Sequence, residues 1–167
     1  MLTKKLVRMG IFTALCVVGA FLKIPSPTGT VSFDSAPGFF AAALLGGKEG
    51  ALITALGHLI SSGLTGFPLT LPIHLLIALQ MAICAFLFAF LLKKANAFIA
   101  IITTIIANGV IAPLTLVPIY GMGFFVGMVL PLVIGSAANI IIAYLIYKAV
   151  KKAGVFNDQE DTRSNPY

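Results

Sequence analysis

Carboxylates are scarce in this chain: of five acidic residues in 167 positions, only Asp34 and Glu49 precede the C-terminal tail. Charge of either sign is also thin, at 10% of residues against 59% hydrophobic, with a mean hydropathy of +1.06. A soluble domain of this length needs more charge to cover its surface, so a water-soluble globule is excluded. Cysteine is limited to Cys16 and Cys84, both inside apolar runs and in no CxxC or Cys/His pattern. They read as small buried hydrophobes rather than as a redox or metal pair. Histidine is as rare. His58 and His74 are followed by "LISS" and "LLIA", which excludes the HExxH of a zinc protease. "GGKEG" lacks the earlier glycine and the Ser/Thr of a phosphate-binding loop, so the chain cannot hydrolyse a nucleotide by itself. Ser61-Ser62-Gly63 has no identifiable dyad partner. No enzyme, cofactor or metal ion is expected.

What the chain has instead is long apolar runs. Residues 99–118 and 123–147 can each cross roughly 30 Å of hydrocarbon as a helix. The runs are continuous rather than alternating, which argues against a β-barrel. The expectation is an all-α integral membrane bundle of six transmembrane helices, at about residues 5–24, 35–47, 49–66, 71–93, 97–118 and 121–150. The domain spans residues 1–153, and the polar stretch 154–167 is expected to be a disordered cytoplasmic tail. The formal charge of +6 forms no patch that would suggest nucleic acid. Lys4, Lys5, Arg8, Lys48, Lys93, Lys94, Lys148, Lys151 and Lys152 all fall on one side of this topology, leaving Lys23 on the other. That asymmetry puts both termini in the cytoplasm. A cleavable signal ending near Gly19-Ala20 is a competing reading, but it would leave five helices and a cationic C-terminal end on the wrong side.

The cations also serve as depth marks. Asp34 lies fourteen residues before Lys48, about 21 Å up a layer of about 30 Å at 1.5 Å per residue. The second helix must therefore be short and begin below the outer surface. Residues 25–34 then form a re-entrant loop, with Asp34 or Ser35 as N-cap and Pro37 in the first turn. By the same ruler His58, Gln80, Asn108 and Asn139 fall about 14–20 Å above the cytoplasmic marks. Polar groups at that depth are costly unless paired or facing a cavity.

Helix faces sharpen this layer. Thr54, His58, Ser61, Ser62 and Thr65 make one stripe, Thr104 shares a face with Asn108, and Ser136 with Asn139. Gln80 suits the depth, with His74 nearer the mouth. Phe33, Phe67 and Tyr120 near the mouth could stack on a flat ring. The expected binding set is Phe33, Asp34, Ser35, His58, Phe67, His74, Gln80, Asn108, Tyr120, Ser136 and Asn139. Its chemistry suits a ligand that is neutral or nearly so. Interhelical hydrogen bonding that merely holds the bundle together is the alternative for each polar residue. A secondary carrier or an intramembrane enzyme are the competing functions.

The segments "FLKIPSPTG", "DSAPGFFAAALLGGKEGALITALGHLISS" and "GFPLTLPIHLLIALQMA" resemble those of substrate-specificity (S) components of energy-coupling-factor (ECF) vitamin transporters, over about residues 3–152. Within that family, "ALGHLISSGLTGFPLTLPIHLLIA" is most similar to members assigned to α-ribazole, a cobalamin precursor. His58 stands where many relatives have Asp. The resemblance implies capture of a ligand from outside the plasma membrane of a prokaryotic cell. It also implies partnership with a transmembrane T component and two cytoplasmic ATPases, and toppling in the lipid to release the ligand. It places a small-xxx-small docking pair at Gly10 and Ala14, with Gly for the usual first Ala. Riboflavin, thiazole and pyrimidine precursors are the alternative ligands.

Overall fold

The computed structural model describes residues 2–26 and 29–154; the expected polar tail lies, past Gly154, outside them. Six helices carry the fold: α1 (Leu2–Gly19), α2 (Ala36–Leu45), α3 (Gly47–Leu64), α4 (Leu71–Lys94), α5 (Ala97–Leu114) and α6 (Val117–Lys152). By length and apolar composition α4, α5 and α6 are long enough to cross a membrane, and α2 is a short apolar helix of 10 residues. Large hydrophobic side chains cover the outside: Phe98 is 74% exposed, Phe21 70% and Leu130 65%. A protein in water does not carry such a belt unpartnered, whereas lipid tails solvate it.

The first connection departs from the all-helical expectation. α1 stops at Gly19 rather than running to residue 24, and β1 (Lys23–Ser26) pairs antiparallel with β2 (Gly29–Ser32), Lys23 opposite Ser32. The Phe33 N–H donates to the Leu22 carbonyl at the base of the hairpin. The physical reason is the one that suggested a re-entrant loop. Chain that dips among helices must satisfy its own N–H and C=O groups, and strand pairing does so where an open loop would not.

α2 is the axial helix, packed against α1, α3, α4 and α6. Phe39, Ala41 and Ala42 are buried, with Phe39 edge-to-face on Phe88 of α4 and Phe40 edge-to-face on Phe12 of α1. α2 and α3 approach closely because Gly50 has no side chain; a Cβ there would overlap the Ala42 backbone. Lys5 forms an ion pair with Glu49, bringing the starts of α1 and α3 together. Lys93, Lys94, Lys151 and Lys152 lie in the last turns of α4 and α6. Short links between successive helices bring these cations to one end of the bundle.

Two irregularities shape the opposite half. Residues Ala107–Ile111 form a π-helical turn within α5. Pro113 cannot donate to the carbonyl four residues before it, and a widened turn absorbs that break. α6 is interrupted at Gly121 (φ 77°, ψ 171°), so its long segment starts at the expected position after a short leading turn.

Candidate functional site

A cavity of about 380 Å³ opens among the hairpin, the N-terminus of α2, and α3 to α6. Eight of the eleven expected residues line it: Asp34, Ser35, His58, His74, Gln80, Asn108, Ser136 and Asn139. Asp34 is buried at the base of the hairpin, where the Ser32 and Ser61 hydroxyls and the Ser35 N–H meet its carboxylate.

The two histidines form a directed chain. The Leu69 N–H donates to His74 Nε2 at 3.4 Å, so that nitrogen holds a lone pair and the ring proton of neutral His74 sits on Nδ1. His74 Nδ1 is 3.2 Å from His58 Nε2, which must then accept. His58 Nδ1 is 4.0 Å from Asp34 Oδ2, beyond hydrogen-bond distance. Ser62 Oγ lies 3.2 Å from the same His58 Nε2. The hydrogen bonds run from the α3–α4 connection to His58, which stands beside the buried carboxylate.

Asn139 corrects the expected capping. Ser35 does hold the cap position of α2, with Pro37 in the first turn, but its own side chain makes no capping hydrogen bond. Asn139 of α6 does so instead, its Oδ1 accepting from the Ala36 N–H at 2.8 Å. Its Nδ2 donates to the carbonyls of Ser32 (3.1 Å) and Gly135 (2.8 Å), so both amide hydrogens are used within the protein. Asn139 thus fastens hairpin, α2 and α6 together while lining the cavity. Asn108 donates to Ser136 Oγ at 2.8 Å. Thr104, expected on the same face, is buried in the helix packing, with no partner for its hydroxyl among the described residues.

The three expected aromatic residues do not line the cavity. Phe33 belongs to the hairpin base, and Phe67 packs against His74 with ring centroids 5.7 Å apart. The Tyr120 hydroxyl donates to the Leu69 carbonyl at 3.1 Å, holding the α3–α4 connection, while its ring lies beside Phe124. That connection needs support, because Phe67 (φ 50°) and Thr70 (φ 72°) both occupy the left-handed region. Phe124 supplies the aromatic wall instead, in line with Met128 and Leu132 on α6. Their i, i+4, i+8 spacing leads to Gly135, Ser136 and Asn139, and extending the polar stripe towards the mouth would have found them. Ser32, Ser61, Ser62, Thr65 and Lys23 complete the polar lining.

The cavity is thus amphipathic. Hydroxyls, imidazoles and a carboxylate gather around Asp34 from the hairpin, α3 and α4, amides come from Gln80 of α4, Asn108 of α5 and Asn139 of α6, and Phe124, Met128 and Leu132 of α6 form an apolar row, with Lys23 the single lysine or arginine in the lining. Such a surface can hold a small molecule with one apolar and one hydrogen-bonding end. The described residues offer no cluster of three metal-ligating side chains. The family model described as "ECF-type riboflavin transporter, S component" matches residues 1–152. No curated protein matches the chain.

Proposed function

The chain belongs to the family of ECF-type riboflavin transporter S components, and from that premise we propose that it captures α-ribazole from outside a prokaryotic cell. It would hand the ligand on with a T component and two ATPases, the six helices spanning the plasma membrane and both termini cytoplasmic. The observation that carries this reading is the mixed lining of the cavity, with polar groups around Asp34 and His58 and an apolar row of Phe124, Met128 and Leu132. α-Ribazole has this polarity: a dimethylbenzimidazole at one end, a ribose at the other, and no charge. An anionic vitamin such as folate or pantothenate would set its carboxylate in a site that already holds Asp34, with only Lys23 to compensate.

Riboflavin is the second reading, favoured by the name of the matching family. Its ring system also carries a dimethyl edge, but it has two polar regions, the ribityl chain and the pyrimidine-dione edge. The continuous apolar stripe of α6 suits the single polar end of α-ribazole better. Gly10 and Ala14 support docking of the T component: both are exposed on α1, and a side chain at Gly10 would meet nothing within 4 Å.

The test is to purify the protein without added ligand, identify any co-purifying small molecule by mass spectrometry, and titrate α-ribazole and riboflavin separately. Saturable binding with α-ribazole the tighter ligand is expected, together with co-purification of two ATPases and a T component. Tighter binding of riboflavin would reassign the substrate. Binding of neither, with no such partners, would refute the proposal. Ion-dependent uptake by liposomes containing this chain alone would make it a secondary carrier.

A further inference from the structure

Away from the ligand cavity, a second concavity of about 480 Å³ opens on the face shared by α3 and α4. Ala51 and Ala55 of α3 and Ala82 of α4 line it with half-buried methyl groups, while Ile83 and Phe86 of α4 are exposed beside them. The Phe86 ring rests against Gly47, where a Cβ would come within 2.9 Å of it. Short side chains flanked by long ones make a furrow rather than a flat surface. Lys48 is the one polar side chain in the lining. It stands at the start of α3 and shares a helix face with Ala51 and Ala55, three and seven residues on. Its neighbour Glu49 is absent from the lining and is paired with Lys5 of α1 instead. No carboxylate lines the furrow to answer the exposed Lys48 ammonium.

Length and charge together describe an occupant. From Lys48 to Ala55 the furrow runs about 10 Å at 1.5 Å per residue, most of the roughly 15 Å of hydrocarbon in one leaflet. With Lys48 at the membrane–water boundary, the furrow leads from headgroup level towards the midplane. An acyl chain laid along the three alanines places its phosphate beside the ammonium. A zwitterionic headgroup brings a second cation to that place, whereas an anionic one brings negative charge alone. A partner helix, about 10 Å across, would meet the exposed Ile83 and Phe86 before reaching the alanines.

We propose that the α3–α4 furrow binds an anionic glycerophospholipid of the cytoplasmic leaflet, its acyl chain on Ala51, Ala55 and Ala82 and its phosphate on Lys48. The inference rests on the membrane orientation in the reading above and is independent of which small molecule the cavity holds.

The experiment uses the full chain in neutral detergent micelles containing equal amounts of palmitoyl-oleoyl phosphatidylglycerol and phosphatidylcholine. Native mass spectrometry counts the lipids each protein retains. Wild type is compared with Lys48→Gln, Lys94→Gln, Ala55→Phe and Ala82→Leu, each shown by thermal unfolding to be folded. Wild type is expected to retain one phosphatidylglycerol in about fivefold preference to phosphatidylcholine, the advantage of one lysine near an anionic headgroup. Lys48→Gln brings that ratio close to one, and Lys94→Gln, at the end of α4, keeps it. Ala55→Phe and Ala82→Leu fill the furrow and remove the retained lipid. An unchanged ratio in Lys48→Gln, or an equal loss in Lys94→Gln, would overturn the proposal in favour of a diffuse basic surface. Retention of the lipid by both filled variants would overturn it as well. So would loss of a co-purified T component from Ala55→Phe with its lipid kept, which would make the furrow a protein interface. Titration of wild type with α-ribazole and riboflavin separates the two readings. Ligand binding without a lipid preference defeats this inference alone, and a lipid preference without ligand binding defeats only the functional reading.

Discussion

Replacing Asn139 by alanine tests the joint between hairpin, α2 and α6. The side chain makes three short hydrogen bonds at 2% exposure, and their loss is unequal. The Gly135 carbonyl lies one turn back in α6 and is left within helix bonding. The Ala36 N–H and the Ser32 carbonyl lose their side-chain partner on the buried end of α2 and the hairpin. Interhelical hydrogen bonds in membranes average about 0.6 kcal/mol, whereas a buried donor or acceptor left unpaired costs about 1–3 kcal/mol. Ala36 is buried, so the larger scale applies, and two orphaned groups give about 2–6 kcal/mol. For a chain of this length that corresponds to a fall of roughly 4–24 °C in unfolding temperature. A thiol-reactive fluorogenic dye reads it directly, because Cys16 and Cys84 are both buried and are labelled only as the bundle opens. Asn108→Ala is the control, since it removes a single bond to Ser136, whose hydroxyl can rotate to another partner. If Asn139→Ala shifts unfolding no more than Asn108→Ala, Asn139 is not the joint described and the reasoning fails.

Asp34→Asn is expected to insert and fold, keeping its shape among Ser32, Ser61 and Ser35, but to weaken α-ribazole binding by about tenfold or more in calorimetric titration. Equal affinity would leave Asp34 a purely structural residue. Gly10→Leu should leave ligand affinity unchanged, because nothing lies near that position, yet reduce uptake by cells expressing the full transporter; normal uptake would remove Gly10 from the docking surface. Tyr120→Phe releases the Leu69 carbonyl and should speed ligand dissociation severalfold with little change in thermal stability, an effect of about 1 kcal/mol. Unchanged dissociation in stopped-flow exchange would show that the hydroxyl does not hold the connection. Gly109→Val should destabilise the bundle by about 1–3 kcal/mol, since even a Cβ would come within 2.8 Å of the Val133 Cα; an undiminished unfolding temperature would contradict that close approach.

The helices were legible because lipid imposes long apolar runs, and lysines at their ends gave each helix a depth scale. That scale brought Asp34, His58, Gln80, Asn108 and Asn139 to one level, and they do line one cavity. The hairpin was not legible: "KIPSPTGTVS" has the polarity of a loop, and its pairing answers a need for backbone satisfaction set by the surrounding helices. Nor could spacing show that the cap of α2 would come from Asn139, which lies 103 residues from Ala36. Local capping preference pointed to Asp34 and Ser35, and a tertiary contact overrode it. The expected aromatic residues lie off the cavity lining for a related reason. Phe67 and Tyr120 sit close to the mouth, but each is engaged with the strained connection, and Phe124 takes the wall.

The packing around α2 decides how cargo can move. The helix starts at the floor of the cavity and descends towards Lys48, and the layer beneath is filled by Phe39, Ile53, Phe88 and Ile140, each at 0% exposure. Atoms packed to that density leave no lane for a molecule the size of a nucleoside, and opening one would mean dismantling the centre of the bundle. A molecule resting in the cavity is separated from the Lys48 end by that close-packed layer, so among the described residues the cavity is closed on that side.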